Sequence, residues 1–171
     1  RQRQMCIRDR YKGHLVVRGE AAITYTDFEL INDTIEDDDE KYANPRNLAS
    51  GTLGLDKSNL DKVKERHIHF YAFTLVQLDD TMSSWGERMD YLEKLGFTTV
   101  AHELTDAKGL EEVVERWTKK VEDGEMDIPV DGLVICYEDN DYAQTGNVTG
   151  HHASRAGYAF NWQDVSAETT L

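Results

Sequence analysis

The residues best suited to chemistry lie in the stretch from Tyr42 to Leu55, YANPRNLASGTLGL. Arg46 carries five donors in a rigid fork, a shape that suits phosphate or carboxylate. Pro45 forces Asn44 into an extended conformation and is tolerated where a helix starts. Asn47 is expected to cap that helix by accepting from free N–H groups of the first turn. Ala49, Ser50 and Gly51 make the helix thin, so something can lie close to it. Arg46 is expected at its mouth as a fixed, buried cation. A structural arginine capping a neighbouring loop would satisfy the same residues.

Two other stretches bear on the choice, Val17-Arg-Gly-Glu20 and Val130-Asp-Gly-Leu-Val-Ile135. The first closes an expected strand over His14–Tyr25. Leu15, Val17, Gly19, Ala21 and Ile23 alternate onto one face, and Val16, Arg18, Glu20, Ala22 and Thr24 onto the other. Arg18 and Glu20 therefore stand side by side, and a charge pair on a solvated face explains them as simply as a ligand does. The second stretch is a turn entering a strand.

In the order VRGE, ANPRN with its small-residue helix, DGLVI and a late aromatic strand, the chain resembles the NAD-dependent DNA ligases. The likeness is to the second half of their adenylation (nucleotidyltransferase) domain and covers residues 13–171. It implies an α+β fold, mainly antiparallel sheet with packed helices, ending before an OB-fold. It implies nick sealing in duplex DNA through lysyl-AMP and DNA-adenylate intermediates, with NAD and Mg2+, in replication and repair. It gives Glu20 to the ribose of the adenylate, Phe73 to the face of adenine, Arg46 to phosphate, and Asp131 to ordering the metal-side turn. Phe73 as plain core is nearly as good a reading. Nicked DNA would be held through domains outside this chain.

The family nucleophile is the lysine of a K-x-D-G motif upstream of VRGE, and no such motif occurs here; no catalytic residue is assigned. The nearest imitation, Lys120-Val-Glu-Asp-Gly124, is one residue too long. Residues 1–12 match nothing in the family and are expected to be a disordered or adventitious leader. Three positions that are cationic in many relatives are Gly54, Cys136 and Asn161 here. Each removes positive charge from a phosphate site, which leaves two readings: a divergent ligase that recruits other cations, or a decayed paralogue acting as a nucleotide-binding or interaction domain.

Composition narrows the partners. The 171 residues carry a net charge of −14, of which −11 falls in residues 86–171. Neutralising DNA phosphates needs Lys and Arg, so bulk electrostatics will not hold DNA here. Cys6 and Cys136 give neither a disulfide framework nor a zinc-ligand pair, so a reducing cytoplasm is the default. No apolar run approaches the roughly 18 residues of a membrane span, and none is expected.

Metal signals are weak. Glu36–Glu40 is an acidic run without the alternation of a calcium loop and is expected to be solvated. His67 and His69 alternate onto one side of an expected strand but lack a third ligand in sequence. His151 and His152 are adjacent and point apart. No G-x-S-x-G, H-E-x-x-H or phosphate-loop motif occurs.

The remaining elements are expected to position these groups. Asp27–Asn32 reads as a helical turn and Lys57–Arg66 as a helix. His67–Leu78 reads as an apolar strand buried on both faces. Ser84 and Glu87 form a capping box for a helix that Gly96 ends. Phe97–Glu103 returns as a strand, and Ala107–Val121 is an amphipathic helix. Trp85 and Trp117 anchor these helices in the core. Asp131–Tyr137 and Ala156–Trp162 are strands flanking a polar loop, and the whole reads as one α+β unit.

Overall fold

The computed structural model describes residues 13–55, 60–77, 82–144 and 157–162. The chain divides into two compact units, where one was expected. The first comprises residues up to Leu104 with Met126–Pro129; the second comprises Thr105–Glu125 and Val130 onward. Both mix short strands with packed helices.

In the first unit, β1 (Val16–Ala22) pairs antiparallel with β2 (His69–Gln77), and β3 (Thr98–Thr99) runs parallel along the other edge of β2. The helices are α1 (Tyr25–Asp33), α2 (Pro45–Leu53), α3 (Leu60–Glu65) and α4 (Trp85–Leu95). The strand expected over Phe97–Glu103 shrinks to the two residues of β3. Ala72 and Leu75 of β2 pack against Met89 and Leu92 of α4, with Leu15, Val17, Trp85, Tyr91 and Phe97 closing the cluster. Burying each large aliphatic chain contributes about 1.5–3 kcal/mol. Ser84 caps the helix as expected: its Oγ accepts from the Glu87 N–H at 3.0 Å. Gly96 ends α4 in the left-handed region at φ 96°.

β2 departs from its expected burial. Ala72 and Leu75 are buried, whereas Phe70, Phe73 and Val76 are exposed. Two core residues three apart cannot share one side of a strand whose side chains alternate with period two. Bulges resolve the conflict. Arg18 lies opposite Thr74 and Gly19 opposite Ala72, so Phe73 is the extra residue. Val16 lies opposite Gln77 and Val17 opposite Leu75, so Val76 is extra in turn. The insertion at Phe73 returns Leu75 to the core side.

A second cluster of Ile23, Leu48 and Ala49, with Phe28, Ile31, Tyr42 and Ile68 around it, holds α1 and α2 at the end of β1. Arg66 braces this corner. Its guanidinium donates to Thr52 Oγ1 at 3.0 Å and to the Tyr42 hydroxyl, and it lies over the Tyr42 ring. Glu36–Glu40 is exposed as expected, and Asp38–Glu40 forms a single 3-10 turn.

In the second unit, α5 (Leu110–Glu122) buries Trp117. β4 (Gly132–Ile135) pairs antiparallel with β5 (Tyr158–Asn161). The Trp162 indole N–H donates to Thr118 Oγ1 at 2.7 Å, which fixes the end of β5 to α5. The loop expected from residue 139 begins as a short helix, α6 (Asn140–Gln144), entered through Asp139, whose carboxylate accepts from the N–H groups of Asp141 and Tyr142. His151 and His152 lie outside the described residues.

Candidate functional site

The β1–β2 pair presents one face that is not used by the core. Val17 and Leu75 are opposite one another and turned into the α4 cluster. Between buried Ala72 and buried Leu75, Thr74 opposes Arg18 and Phe73 is the unpaired bulge residue beside that pair. Glu20 lies opposite Tyr71. Arg18, Glu20, Tyr71, Phe73 and Thr74 therefore share the face away from the core. Strict alternation would have put Leu75 there too; the bulge removes it. Phe73 is 40% exposed, so its ring is an open surface rather than a core contact.

Arg18 and Glu20 are both exposed, and the charge pair that stood as the alternative for them does not form. Among the described residues neither has a hydrogen-bond or ion-pair partner. A carboxylate and a guanidinium thus share this face with an exposed aromatic ring.

Arg46 sits in the first turn of α2 and is exposed, where a buried cation was expected. The cap also differs. Asn44, not Asn47, is the N-cap: its side-chain oxygen accepts from the Asn47 N–H at 2.8 Å. Pro45 explains the shift, since it holds Asn44 extended and itself occupies the first helical position. Buried Leu48 and Ala49 fix the orientation of the helix. Asp131 belongs to the second unit. It is exposed, and its carbonyl accepts from the Trp162 N–H at 3.1 Å as β4 begins. Lys120 lies with its ammonium 4.8 Å from the centre of the Trp117 ring.

The third partner that His67 and His69 lack in local sequence is Asp27. One carboxylate oxygen meets His67 Nδ1 at 2.8 Å and the other meets His69 Nε2 at 3.1 Å. These are direct hydrogen bonds, and no group of three potential ligands among the described residues is arranged to hold a metal ion. Thr24 caps α1 and also donates to Asp27. The spacing Thr24-x-x-Asp27 is a capping-box signal that the sequence carried and the strand assignment through Tyr25 hid. Asp127 accepts from the N–H and hydroxyl of Thr26 at 2.9 Å each. Burial, with Asp127 and Asp27 nearby, pushes the Tyr71 phenol above its ordinary value.

The bond from His67 is the largest cause holding the Asp27 carboxyl below its ordinary value of 3.8, with His69 and Thr24 adding to it against the opposing effect of burial. A depressed folded value means that the stabilisation is complete above the unfolded value and is lost as pH falls through the folded one. Asp27→Asn is therefore expected to lower stability by about 1.5–3 kcal/mol near neutral pH, the usual worth of hydrogen bonds to a charged group. Urea unfolding of both proteins at pH 7 and at progressively lower pH should show the gap closing only as Asp27 protonates. A gap independent of pH would refute the carboxylate's role.

Comparisons with known proteins identify the family. Residues 4–163 match the family model described as NAD-dependent DNA ligase adenylation domain. A DNA ligase of Lachnoclostridium phytofermentans is 38% identical over 163 residues, covering 94% of this chain and 24% of the relative. One from Ruminiclostridium cellulolyticum is also 38% identical over 163 residues with the same coverage. One from Brachyspira hyodysenteriae is 34% identical over 163 residues, again 94% and 24%. The chain spans about a quarter of the length of these curated relatives. With the match running through VRGE, ANPRN and DGLVI alike, the chain belongs to the NAD-dependent DNA ligase adenylation domain family.

Proposed function

We propose that the face formed by Glu20 and Phe73 binds the adenosine of NAD, as part of an enzyme that seals nicks in duplex DNA. The observation that carries this is a carboxylate with no partner among the described residues, on one sheet face with an exposed aromatic ring. The ring offers a π-surface to the purine, and the carboxylate accepts from ribose hydroxyls. Arg46 would serve phosphate from the start of α2. Asp131 would order the turn into β4. Mg2+ would ride mainly on substrate phosphates, as that ion commonly does. Nicked DNA would be gripped by domains outside this chain, since −14 of net charge opposes it here. No described helix is long and apolar enough to cross a membrane; a cytoplasmic setting and an OB-fold following this region are parts of the same proposal.

A decayed paralogue that retains nucleotide binding is the second reading. Its support is the absence of a cationic side chain at Gly54, Cys136 and Asn161.

Binding of AMP by calorimetry tests the site. Stacking on an aromatic side chain is worth about 1–3 kcal/mol per base. A hydrogen bond to a charged group contributes about 1.5–3 kcal/mol. Phe73→Leu and Glu20→Ala are each expected to weaken AMP by about tenfold or more. Unchanged affinity in both would remove the face as the adenosine site.

A further inference from the structure

The bulge pairs Arg18 with Thr74 and leaves Phe73 unpaired beside that pair, whereas Glu20 is two residues further along, across from Tyr71. If adenine lies on Phe73 and the ribose reaches Glu20, the side chain bordering the base is Arg18. We propose that Arg18 is a specificity-determining residue of this site, its guanidinium donating to a ring nitrogen of the purine. This rests on the adenosine reading of the face.

Three observations support the assignment. Arg18 is exposed and, among the described residues, has no carboxylate or carbonyl partner. It does not lie over the Phe73 ring, which leaves that ring open for the base. Its fork bears donors only, and the ring nitrogens of adenine are acceptors. The neighbouring Gly19 cannot substitute for it, having no side chain and being turned towards Phe70 and the Tyr71 carbonyl.

The 171-residue chain is titrated with AMP, 7-deaza-AMP and 3-deaza-AMP, each analogue replacing one ring nitrogen by carbon while keeping ribose and phosphate. Wild type is expected to bind at least one analogue about tenfold more weakly than AMP, the order of one good hydrogen bond. Arg18→Met should bind all three alike, at the level of the weaker analogue, with an unchanged thermal midpoint. Phe73→Leu should weaken all three in parallel while keeping their ranking. Arg18→Met that retains the wild-type ranking overturns the proposal and leaves the adenosine site standing. An equal loss for all three ligands in Arg18→Met also overturns it, because the cation would then be serving the shared phosphate. Failure of wild type to bind any of them overturns both this inference and the adenosine reading.

Discussion

Gly19→Ala is expected to unfold the first unit under conditions where wild type is intact. A Cβ at this position would lie 2.4 Å from the Tyr71 carbonyl oxygen and 2.4 Å from Cζ of Phe70. The ring can move aside, but the carbonyl belongs to the partner strand of the β1–β2 ladder. Relief therefore requires β1 to back away from β2, taking Arg18 and Glu20 with it. Overpacking of this kind costs about 1–3 kcal/mol and occasionally more. Domains of this size are stable by only about 0.05–0.15 kcal/mol per residue, so the loss is a large share of the total. Gly51→Ala is the control. Gly51 lies within α2 with nothing in reach of an added Cβ. Alanine there should be neutral or stabilise by up to about 1 kcal/mol through helix propensity. Urea midpoints read both. Equal midpoints for Gly19→Ala and wild type would mean that the strands tolerate a wider spacing than the structure shows.

That glycine sits inside the VRGE motif, where the resemblance points only to Glu20. Its steric role is invisible in sequence because it depends on which residue of β2 lies opposite. The same holds for Phe73. Its place on a strand, and its aromatic type, were legible. Its exposure was not, because a bulge is set by the conflict between core positions Ala72 and Leu75 and not by any local residue preference. The α4 helix was legible almost to the residue, since Ser84, Glu87 and Gly96 are local signals that act within one turn. The first turn of α2 was misread by three residues. Asn44 and Asn47 are both competent caps, and Pro45 decides between them by fixing the backbone ahead of it. Asp27 was missed entirely as a partner of His67 and His69. Forty residues separate it from His67, and only tertiary packing brings the two together. A charge pair is one of the two readings open for Arg18 and Glu20 in sequence; two exposed side chains gain little from pairing in water, and here they do not pair.

The chain as given is expected not to become labelled with AMP when incubated with NAD and Mg2+. Self-adenylation needs an amine held in line with the phosphoanhydride bond, and positioning alone supplies several kcal/mol of such a barrier, with effective molarities of about 10⁵ M or more. The chain contains no K-x-D-G. Its nearest imitation, Lys120, is drawn over the Trp117 ring of its own helix. Lys41 and Lys64 are each paired with an aspartate three residues away, at 2.6 Å. Phosphate stabilisation is also thin, because Asn161 is neutral and its side-chain oxygen lies against Gly132, 2.9 Å from where a Cβ on that glycine would stand. Intact mass after incubation with NAD reads the outcome, and a stoichiometric AMP adduct would overturn the prediction, with peptide mapping naming the lysine. The complementary measurement joins this chain to an upstream segment carrying K-x-D-G and compares Asn161 with Asn161→Lys. Losing one donor that stabilises transition-state charge costs about 10²–10³ in rate. An adenylation rate raised by about that factor in Asn161→Lys identifies a site that has decayed at this position. Equal, rapid labelling of both identifies a divergent ligase whose phosphate is held by another cation, with Arg46 the first to replace by alanine.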